Sequence, residues 1–501
     1  MIAATAVLYL GLVLAVGLWA TRRTKTAQDF FVAGKDLGLI VTSLAIMSAI
    51  FSGFLFIGGP GLTYRLGVAS FFISFSVGFT GVMMNWTLAK RLRLLAEVRE
   101  IFTVPDVVLA RWGSRRASGL AAIAIIVGTL GYLGAQLQAL GVLVDSIFPL
   151  DGLFGAWSAE VALALGTTVV LLYAVAGGML AGVYTDVVQG LLMMAAAGAV
   201  FWQALRTGGG LEAITRRLAE SESFGPEFLD PLGGSLPALG AVSFFFVFAV
   251  GCLGQPQTLH KFFMLGDPRK LRWFPAVVGG AQVLVILIWF GIGLAVPALV
   301  VDGRMEALIS PDEAAPRFLL DFVPGALAGL VFAGILAAIM STADSFLNIA
   351  SAALVRDLPR AFGRRLADEL RWGRWATLWI ALGAVIFARL YGDLVALLGT
   401  FAYGIFGAAL APALVIGMNS RRVSERAAVA SMVVGLVSAF GLEFLHRQAL
   451  LPALPKPPLA PGAMPAAAAL LLSFTTLFAV AWLDRHSTKA LDDDVEAVLT
   501  M

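Results

Sequence analysis

The sequence is long, strongly apolar and poor in charge. Its 501 residues are 59% hydrophobic and only 13% charged, whereas soluble domains carry about 25% charged residues, so an ordinary soluble enzyme is excluded. One cysteine permits no internal disulfide, and three histidines with that cysteine argue against a zinc site built from those ligands. The formal charge of +3 comes from basic residues in short connections between apolar segments, which is typical of membrane flanks and does not indicate a nucleic-acid partner.

Apolar segments between charge clusters predict an all-α integral membrane protein with about thirteen transmembrane helices, since about 20 apolar residues cross a bilayer. The predicted spans cover residues 2–20, 37–64, 66–89, 117–144, 156–176, 179–205, 235–260, 273–300, 325–355, 375–390, 394–419, 426–445 and 464–483. The polar connections between them are too short for a separate globular core. We therefore expect a single membrane domain.

The distribution of basic residues predicts how the chain is oriented. Most of the 35 lysine and arginine residues lie in loops that the span count places on one side, whereas the 301–324 loop on the other side is acidic. Basic loops stay cytoplasmic, so we expect a plasma (inner) membrane protein with its N-terminus outside and its C-terminus in the cytoplasm. The single domain then comprises an extra span and loop (1–36), a core (37–420) and two extra spans with a short tail (421–501).

Two predicted spans carry helix-breaking residues near their middle. Residues 48–53 place two serines and a glycine in the second span, and residues 251–256 end in Gly-Gln-Pro in the seventh. A broken helix survives in a membrane only where it is buried in protein or lines a cavity. Each break alone also fits close helix packing, but their separation by five spans favours a five-plus-five inverted-repeat transporter with two discontinuous helices.

Two carboxylates fall deep within predicted spans. Asp186 is the only charge in residues 162–204, beyond a predicted turn at Gly177-Gly178, and Asp344 is the only charge in residues 323–354. A carboxylate at such depth costs a few kcal/mol or more unless it is paired, protonated or bound to a cation, which favours a functional role over a simple hydrogen bond between helices. Residues three and four apart share a helical face, so the sequence predicts one polar stripe of oxygen ligands for a hard cation. The stripe contains Ser341, Asp344, Ser345 and Asn348.

These motifs resemble the sodium/solute symporter family, which includes sodium/proline, sodium/glucose, sodium/sialic acid, pantothenate and acetate carriers. The likeness extends over nearly the whole chain. Residues 177–189 are similar to the family signature, a glycine pair followed by aromatic-Thr-Asp-x-x-Gln, and residues 337–345 are similar to the eighth core helix of the family. Residues 254–256 and the helix around 407–412 add to the resemblance.

The resemblance implies a sodium site shared across the family. Its ligands would be the main-chain carbonyls of Ser48, Phe51 and Ala338 and the hydroxyls of Ser341 and Thr342. Some relatives bind a second sodium, and the matching positions here would hold a second sodium or a proton. These positions are Asp186, Ser341, Asp344 and Ser345.

The resemblance also implies a solute site against the first, third, sixth and tenth core helices. Its residues would be Ser52, Gly53, Phe54, Tyr132, Gln136, Gln255 and Tyr403. The Gly-Gln-Pro element looks most like the proline carriers, yet Ile50 and Phe54 stand where those carriers have an aspartate and a tryptophan. With no acidic group in the broken helix, we favour a small carboxylate-bearing solute held by helix ends and hydroxyls. Tyr132 and Tyr403 fit packing equally well.

The sequence therefore predicts a sodium-coupled secondary active symporter that imports a small organic solute such as a proline-like amino acid. We expect one sodium or two, no organic cofactor, no catalytic residues and a monomeric functional unit, although the sequence does not reveal the oligomeric state. Sodium/monocarboxylate, pantothenate and sugar symport are the alternatives within the family. A membrane-embedded enzyme is disfavoured because the three histidines lie in loops or at a helix end, and a sensor is disfavoured because no signalling domain follows the last span.

Overall fold

The computed structural model describes residues 2–21, 39–148, 150–232, 236–392, 394–447, 457, 459–485 and 491–500. The regular elements of these ranges are all helices, and the loop predicted after the first span lies outside them. The main helices are α1 (Ile2–Thr21), α2 (Leu39–Ile50), α3 (Gly59–Leu66), α4 (Phe71–Met84), α5 (Lys90–Val98), α6 (Val104–Trp112), α7 (Arg115–Ile147), α8 (Ser158–Gly208), α9 (Leu211–Glu220), α10 (Ala238–Gly251), α11 (Pro256–Met264), α12 (Phe274–Val301), α13 (Ala314–Phe322), α14 (Gly325–Ala352), α15 (Glu369–Tyr391), α16 (Val395–Gly417), α17 (Glu425–Arg447), α18 (Pro465–Leu483) and α19 (Asp493–Thr500).

Eleven helical runs in the described ranges are long and apolar enough to cross a membrane, which confirms the all-α membrane class. The predicted number was thirteen. The first predicted span contributes only the shorter apolar stretch Ile2–Leu12, and the second and third spans contribute one run, Phe54–Val98. The number thirteen and the inverted repeat therefore stay predictions.

The long helix α8 reverses its direction between its ends. Thr207 O, near its last residue, accepts a hydrogen bond of 2.9 Å from Arg304, and Ala159, near its first residue, lines a cavity with Ile309. A straight helix of 51 residues would be about 76 Å long, whereas Arg304 and Ile309 can be at most about 18 Å apart. The chain must therefore turn back within α8.

The predicted turn at Gly177-Gly178 is not an interruption of helical backbone. Residues 158–208 are helical throughout, and two apolar windows of membrane length, Asp151–Leu172 and Thr185–Gly208, flank the glycine pair. Glycine pairs are a common cause of sharp helix bends. The two predicted spans, 156–176 and 179–205, are thus one helical element in this structure.

The first predicted break is confirmed. Helix α2 ends at Ile50, and a π-helical turn, Phe54–Gly58, precedes α3. Pro60 occupies the start of α3, where its missing N–H costs little. The Trp289 indole of α12 donates a 3.1 Å hydrogen bond to Leu55 O, so a neighbouring helix satisfies one carbonyl of the turn.

The second predicted break is confirmed as well. Helix α10 passes into a 3₁₀ turn, Cys252–Gly254, and Gln255 is extended, with φ −72° and ψ 112°. Pro256 then begins α11, and proline at the first helical position stops the preceding helix from continuing. Thr80 Oγ1 donates a 2.7 Å hydrogen bond to Ala249 O, which satisfies a carbonyl in the last turn of α10.

The centre of the molecule is built from α14 and α16, whose residues are buried along almost their whole length. Helix α15 lies at the periphery instead. Its Trp372, Trp375 and Trp379 are all more than half exposed and follow helical spacing, which is the pattern of a face turned to lipid.

A short acidic helix, α19, is held by ion pairs to the end of α5 and to the loop after α16. Arg99 donates to Asp494 and, over 2.8 Å, to Asp492, and Arg421 lies 2.7 Å from Glu496. These hydrogen bonds raise the pKa of Arg99 and hold the pKa of Asp494 below its usual range.

Candidate functional site

The five oxygens that the resemblance assigns to the shared sodium site lie together where α14 passes the first break. The Ser341 hydroxyl lies 3.2 Å from Ser48 O and 3.1 Å from Ala338 O. The Thr342 hydroxyl lies 3.1 Å from Phe51 O and 2.9 Å from Ala338 O. All five residues are buried. The structure therefore brings the complete predicted set into one cluster.

The chemistry of this cluster suits a hard cation. Carbonyl and hydroxyl oxygens are the ligands that hard cations prefer, and none of the five carries a formal charge, which favours weak and reversible binding. In the part of the chain that the structure describes, no group of three or more His, Cys, Asp or Glu residues is arranged to hold a metal ion.

Gly53 explains why the helix opens at this position. Its backbone N–H donates to Gln136 Oε1 over 2.8 Å, whereas in a continuous α-helix it would donate to the carbonyl four residues earlier. A Cβ atom at Gly53 would lie 2.7 Å from Ile339 Cγ1 and 2.8 Å from Ala139 Cβ. Only glycine therefore lets α7 and α14 approach the break this closely.

Asp186 is joined to this oxygen cluster and also forms an ion pair that was not predicted. Its Oδ1 accepts a 3.1 Å hydrogen bond from Ser48 Oγ. Its Oδ2 lies 3.0 Å from Lys261 Nζ, and both side chains of this pair are at most 2% exposed. The predicted seventh span ends at residue 260, so Lys261 lies outside it, in the basic connection that follows. The available signal for this ion pair was the position of Lys261 five residues after Pro256. A helix that begins at Pro256 extends through Lys261 and carries it into the span.

Asp344, on α14, packs against α8 about one helical turn away from Asp186. A Cβ atom at Gly182 would collide with Asp344 Oδ2, so α14 presses this carboxylate against the backbone of α8. Its Oδ1 accepts a 3.0 Å hydrogen bond from Asn348. Gly182 precedes Asp186 by four residues, so Asp344 also lies near the ion pair of Asp186 and Lys261. The structure thus gathers two acidic groups and one basic group, and Ser345 is buried next to Asp344.

The residues that the resemblance assigns to the solute converge on the two breaks. Ser52 Oγ and Tyr132 Oη lie 3.3 Å apart. The ring of Tyr403 lies 6.0 Å from that of Phe54 and 5.6 Å from that of Tyr132. Gln255, from the second break, lines a small cavity of about 30 Å³ together with Tyr403. With the contact between Gly53 and Gln136, all seven predicted positions are connected to this region.

Two of these residues present amide donors without a hydrogen-bond partner. Gln136 and Gln255 are buried, and the Nε2 atom of each has no partner in the described part of the structure. The other end of each amide is occupied, because Gln136 Oε1 accepts from Gly53 and Gln255 Oε1 accepts a 2.7 Å hydrogen bond from Gln257. A buried donor of this kind favours an acceptor ligand such as a carboxylate.

Further aromatic residues complete this region and were not predicted. The Phe248 ring, from α10, lies 4.3 Å from that of Tyr403 and 5.6 Å from that of Phe54. The Phe346 ring, from α14, lies 4.6 Å from that of Tyr132. The run of phenylalanines at 244–248 was the available signal, but the sequence could not indicate which of them points inward.

Comparisons with known proteins support the resemblance to the sodium/solute symporter family. A protein-family model described as the sodium:solute symporter family matches residues 30–435. The high-affinity proline transporter of Bacillus subtilis is 29% identical over 84% of this chain and 88% of its own length. The sodium/proline symporter of Escherichia coli is 30% identical over 84% of each chain.

A solved structure shares the fold. The substrate-bound, outward-open structure of a sodium-coupled sialic acid symporter superposes with a TM-score of 0.71 and covers 96% of this chain and 98% of its own. The two sequences are 17% identical, so this likeness concerns the arrangement of helices alone.

Proposed function

We infer the function from the premise that this chain belongs to the sodium:solute symporter family, whose model matches residues 30–435. It is a sodium-coupled solute symporter and a multi-pass protein of the plasma membrane. We propose that it imports a small carboxylate-bearing solute by alternating access, and that a proline-like amino acid is the substrate to test first. The named proline transport of its relatives supports this choice.

The single observation that carries the solute proposal is the pair of buried amide donors. Gln136 Nε2 and Gln255 Nε2 lack partners in the described ranges. Gln136 belongs to α7 and contacts the first break through Gly53, whereas Gln255 belongs to the second break itself. A carboxylate offers two oxygens that can each accept from one such donor. Donation from both amides would let the solute link α7, and the first break that α7 contacts, to the second broken helix, as occlusion of a solute requires.

The ion that drives uptake would bind at the shared sodium site. The proposed ligands are the carbonyls of Ser48, Phe51 and Ala338 and the hydroxyls of Ser341 and Thr342. In support, one hydroxyl of α14 reaches each free carbonyl of the first break, at 3.2 and 3.1 Å. Sodium bound here would fix the first break, and the solute residues Ser52 to Phe54 directly follow the ligand residues in the chain.

The test is a sodium-dependent binding and uptake screen. Purified protein would be heated with proline, other amino acids, monocarboxylates, pantothenate and sugars, each with sodium or with choline as the cation. A ligand that binds only the folded protein raises the midpoint of unfolding. We expect stabilisation by carboxylate-bearing solutes in sodium only, and uptake of the same solutes into proteoliposomes along a sodium gradient. Stabilisation by sugars alone, or uptake that does not depend on sodium, would contradict the proposal.

The proposed orientation places the N-terminus outside and the C-terminus in the cytoplasm, with residues 37–420 as the transport core and 421–501 as an addition to it. Basic loops around residues 90–116 and 356–374 would then face the cytoplasm. Epitope tags at the N-terminus and in the 206–234 loop should be reached by antibody on intact cells, whereas a tag in the 356–374 loop should not. The reverse pattern would overturn the orientation.

A further inference from the structure

We propose that the ammonium group of Lys261 is the resident cation of the second site, so that this symporter binds one sodium where relatives with a second site bind two. The proposal rests on the sodium site proposed above and adds its stoichiometry. The positions that resemblance assigned to a second sodium or proton include Asp186, and Lys261 Nζ lies 3.0 Å from Asp186 Oδ2.

The first argument is the placement of the lysine. Its side chain is 1% exposed and its helix, α11, follows the second break, whereas Asp186 is on α8. A lysine buried in this way is costly unless it is paired, and its ammonium brings one positive charge and three donors, much as a sodium ion would bring one positive charge. The ammonium already contacts one of the carboxylate oxygens on which a second sodium would depend.

The second argument is the link between this pair and the shared sodium site. Asp186 uses its other oxygen to accept from Ser48 Oγ, while Ser48 O lies 3.2 Å from Ser341 Oγ. One residue, Ser48, therefore connects the ion pair with the proposed sodium ligands. The pair joins α11, the half-helix after the second break, to α8, and the hydrogen bond from Ser48 extends this connection to α2, the helix before the first break. A lysine cannot leave with the solute, so its charge remains when the sodium is released inside.

The third argument concerns what the same groups would do without the lysine. Asp186 and Asp344 lie one helical turn apart on facing helices, with Ser341 and Ser345 beside Asp344 in the sequence and all four buried. Two carboxylates and two hydroxyls form an oxygen set that a sodium ion can use. Replacing Lys261 by a neutral residue should therefore create a second sodium site, which is a gain of function that a purely structural ion pair does not predict.

The test counts sodium ions on the full-length protein. Equilibrium binding of radioactive sodium would be measured for the wild type, for Lys261→Met, and for Lys261→Arg as the matched variant that keeps the cation. We expect about one ion per chain for the wild type and Lys261→Arg and about two for Lys261→Met, with the Hill coefficient for sodium rising from about 1 towards 2. Lys261→Gln is a second ammonium-free variant, and both would be purified in high sodium to favour the occupied, folded state.

The outcomes separate the two proposals. A wild type that binds no sodium removes the proposed function itself. A wild type that binds two ions, or a folded ammonium-free variant that binds one, removes the role of Lys261 and leaves the shared site intact. Asp186→Asn combined with Lys261→Met should return the count to about one, because the new site loses its central carboxylate.

Discussion

Gln136 Oε1 accepts a hydrogen bond from the backbone N–H of Gly53, with 2.8 Å between the two atoms. This contact ties α7 to the opening of the first broken helix and fixes the orientation of the amide. The Nε2 end of the same amide lacks a partner in the described ranges. Gln136 therefore holds the break with one atom, and with the other it presents the donor that we propose binds the solute.

Gln136→Glu separates these two roles. A glutamate keeps an oxygen for the Gly53 N–H but replaces the donor with a second, negatively charged oxygen. If the solute carries a carboxylate, its half-saturating concentration should rise about tenfold or more, because two like charges repel in a buried site. Uptake kinetics in proteoliposomes measure this. Gln138→Glu, on the same helix but lining an outer cavity, is the matched control, and equal effects of both changes would count against the assignment.

Removing a hydroxyl from the shared sodium site should weaken sodium more than it weakens the fold. Ser341→Ala or Thr342→Ala deletes one neutral ligand, which costs on the order of 1 to 2 kcal/mol, or about five- to thirtyfold in sodium affinity. Sodium-dependent stabilisation of the purified protein measures that affinity.

Ser351→Ala is the control for these variants. Ser351 lies on the same helix, is fully buried, and donates to a carbonyl of its own helix, Asn348 O, at 2.9 Å. Its loss should leave sodium activation unchanged. An equal loss of affinity in Ser351→Ala, or an unchanged sodium dependence in both site variants, would assign the hydroxyls of α14 to packing alone.

Gln255→Ala should impair solute binding without impairing sodium binding. The change deletes the Nε2 donor at the second break, so we expect the half-saturating solute concentration to rise about five- to tenfold. Sodium binding measured in the absence of solute should stay near the wild-type value, because Gln255 contacts none of the five proposed sodium ligands in the described contacts. Gln203→Ala controls for the loss of an amide, since Gln203 donates to Phe322 O in a different part of the molecule. Parallel loss of both ligands would make Gln255 a structural residue.

The docking of α19 should depend on pH. The Arg99 guanidinium holds the pKa of Asp494 below its usual range. The contact therefore stabilises the docked helix fully at pH values above the ordinary aspartate pKa of about 3.9, and this stabilisation is lost as the pH falls through the lower pKa that Asp494 has when docked. A spin label on Thr500→Cys would report this as increased mobility in acid. Cys252 is buried and is the only native cysteine, so background labelling should be small. Arg99→Gln should be mobile at every pH, and a label that stays immobile in this variant would show that other contacts hold the helix.

The sequence was sufficient to predict the elements that depend on local chemistry. Pro256 lacks a backbone N–H and Gly53 lacks a Cβ atom, and both breaks occur where those residues predict them. The partners that hold the first break open, such as Gln136, come from distant segments. The residues that the resemblance assigns to sodium are neighbours in the structure, because α14 carries Ser341 and Thr342 on consecutive positions that face the first break.

The features that depend on packing between distant segments could not be predicted. Lys261 looked like a loop residue because its partner, Asp186, is 75 positions away and nothing in the local sequence indicates the contact. The Gly177-Gly178 pair predicted a turn, and the chain does reverse its direction within α8, but helical backbone continues through the pair. Whether a helix bends or ends at such a pair depends on the surrounding helices, and a single sequence does not contain their arrangement.

Trp289 has an indole that is fully buried and hydrogen-bonded to Leu55 O within the first break, whereas most other tryptophans of the chain are exposed. Indole emission shifts when that hydrogen bond or its surroundings change. A chain in which the exposed indoles and the second buried indole, Trp112, are replaced by phenylalanine would therefore fluoresce from the first break alone. Its emission would report directly whether the surroundings of this break change when sodium or solute is added.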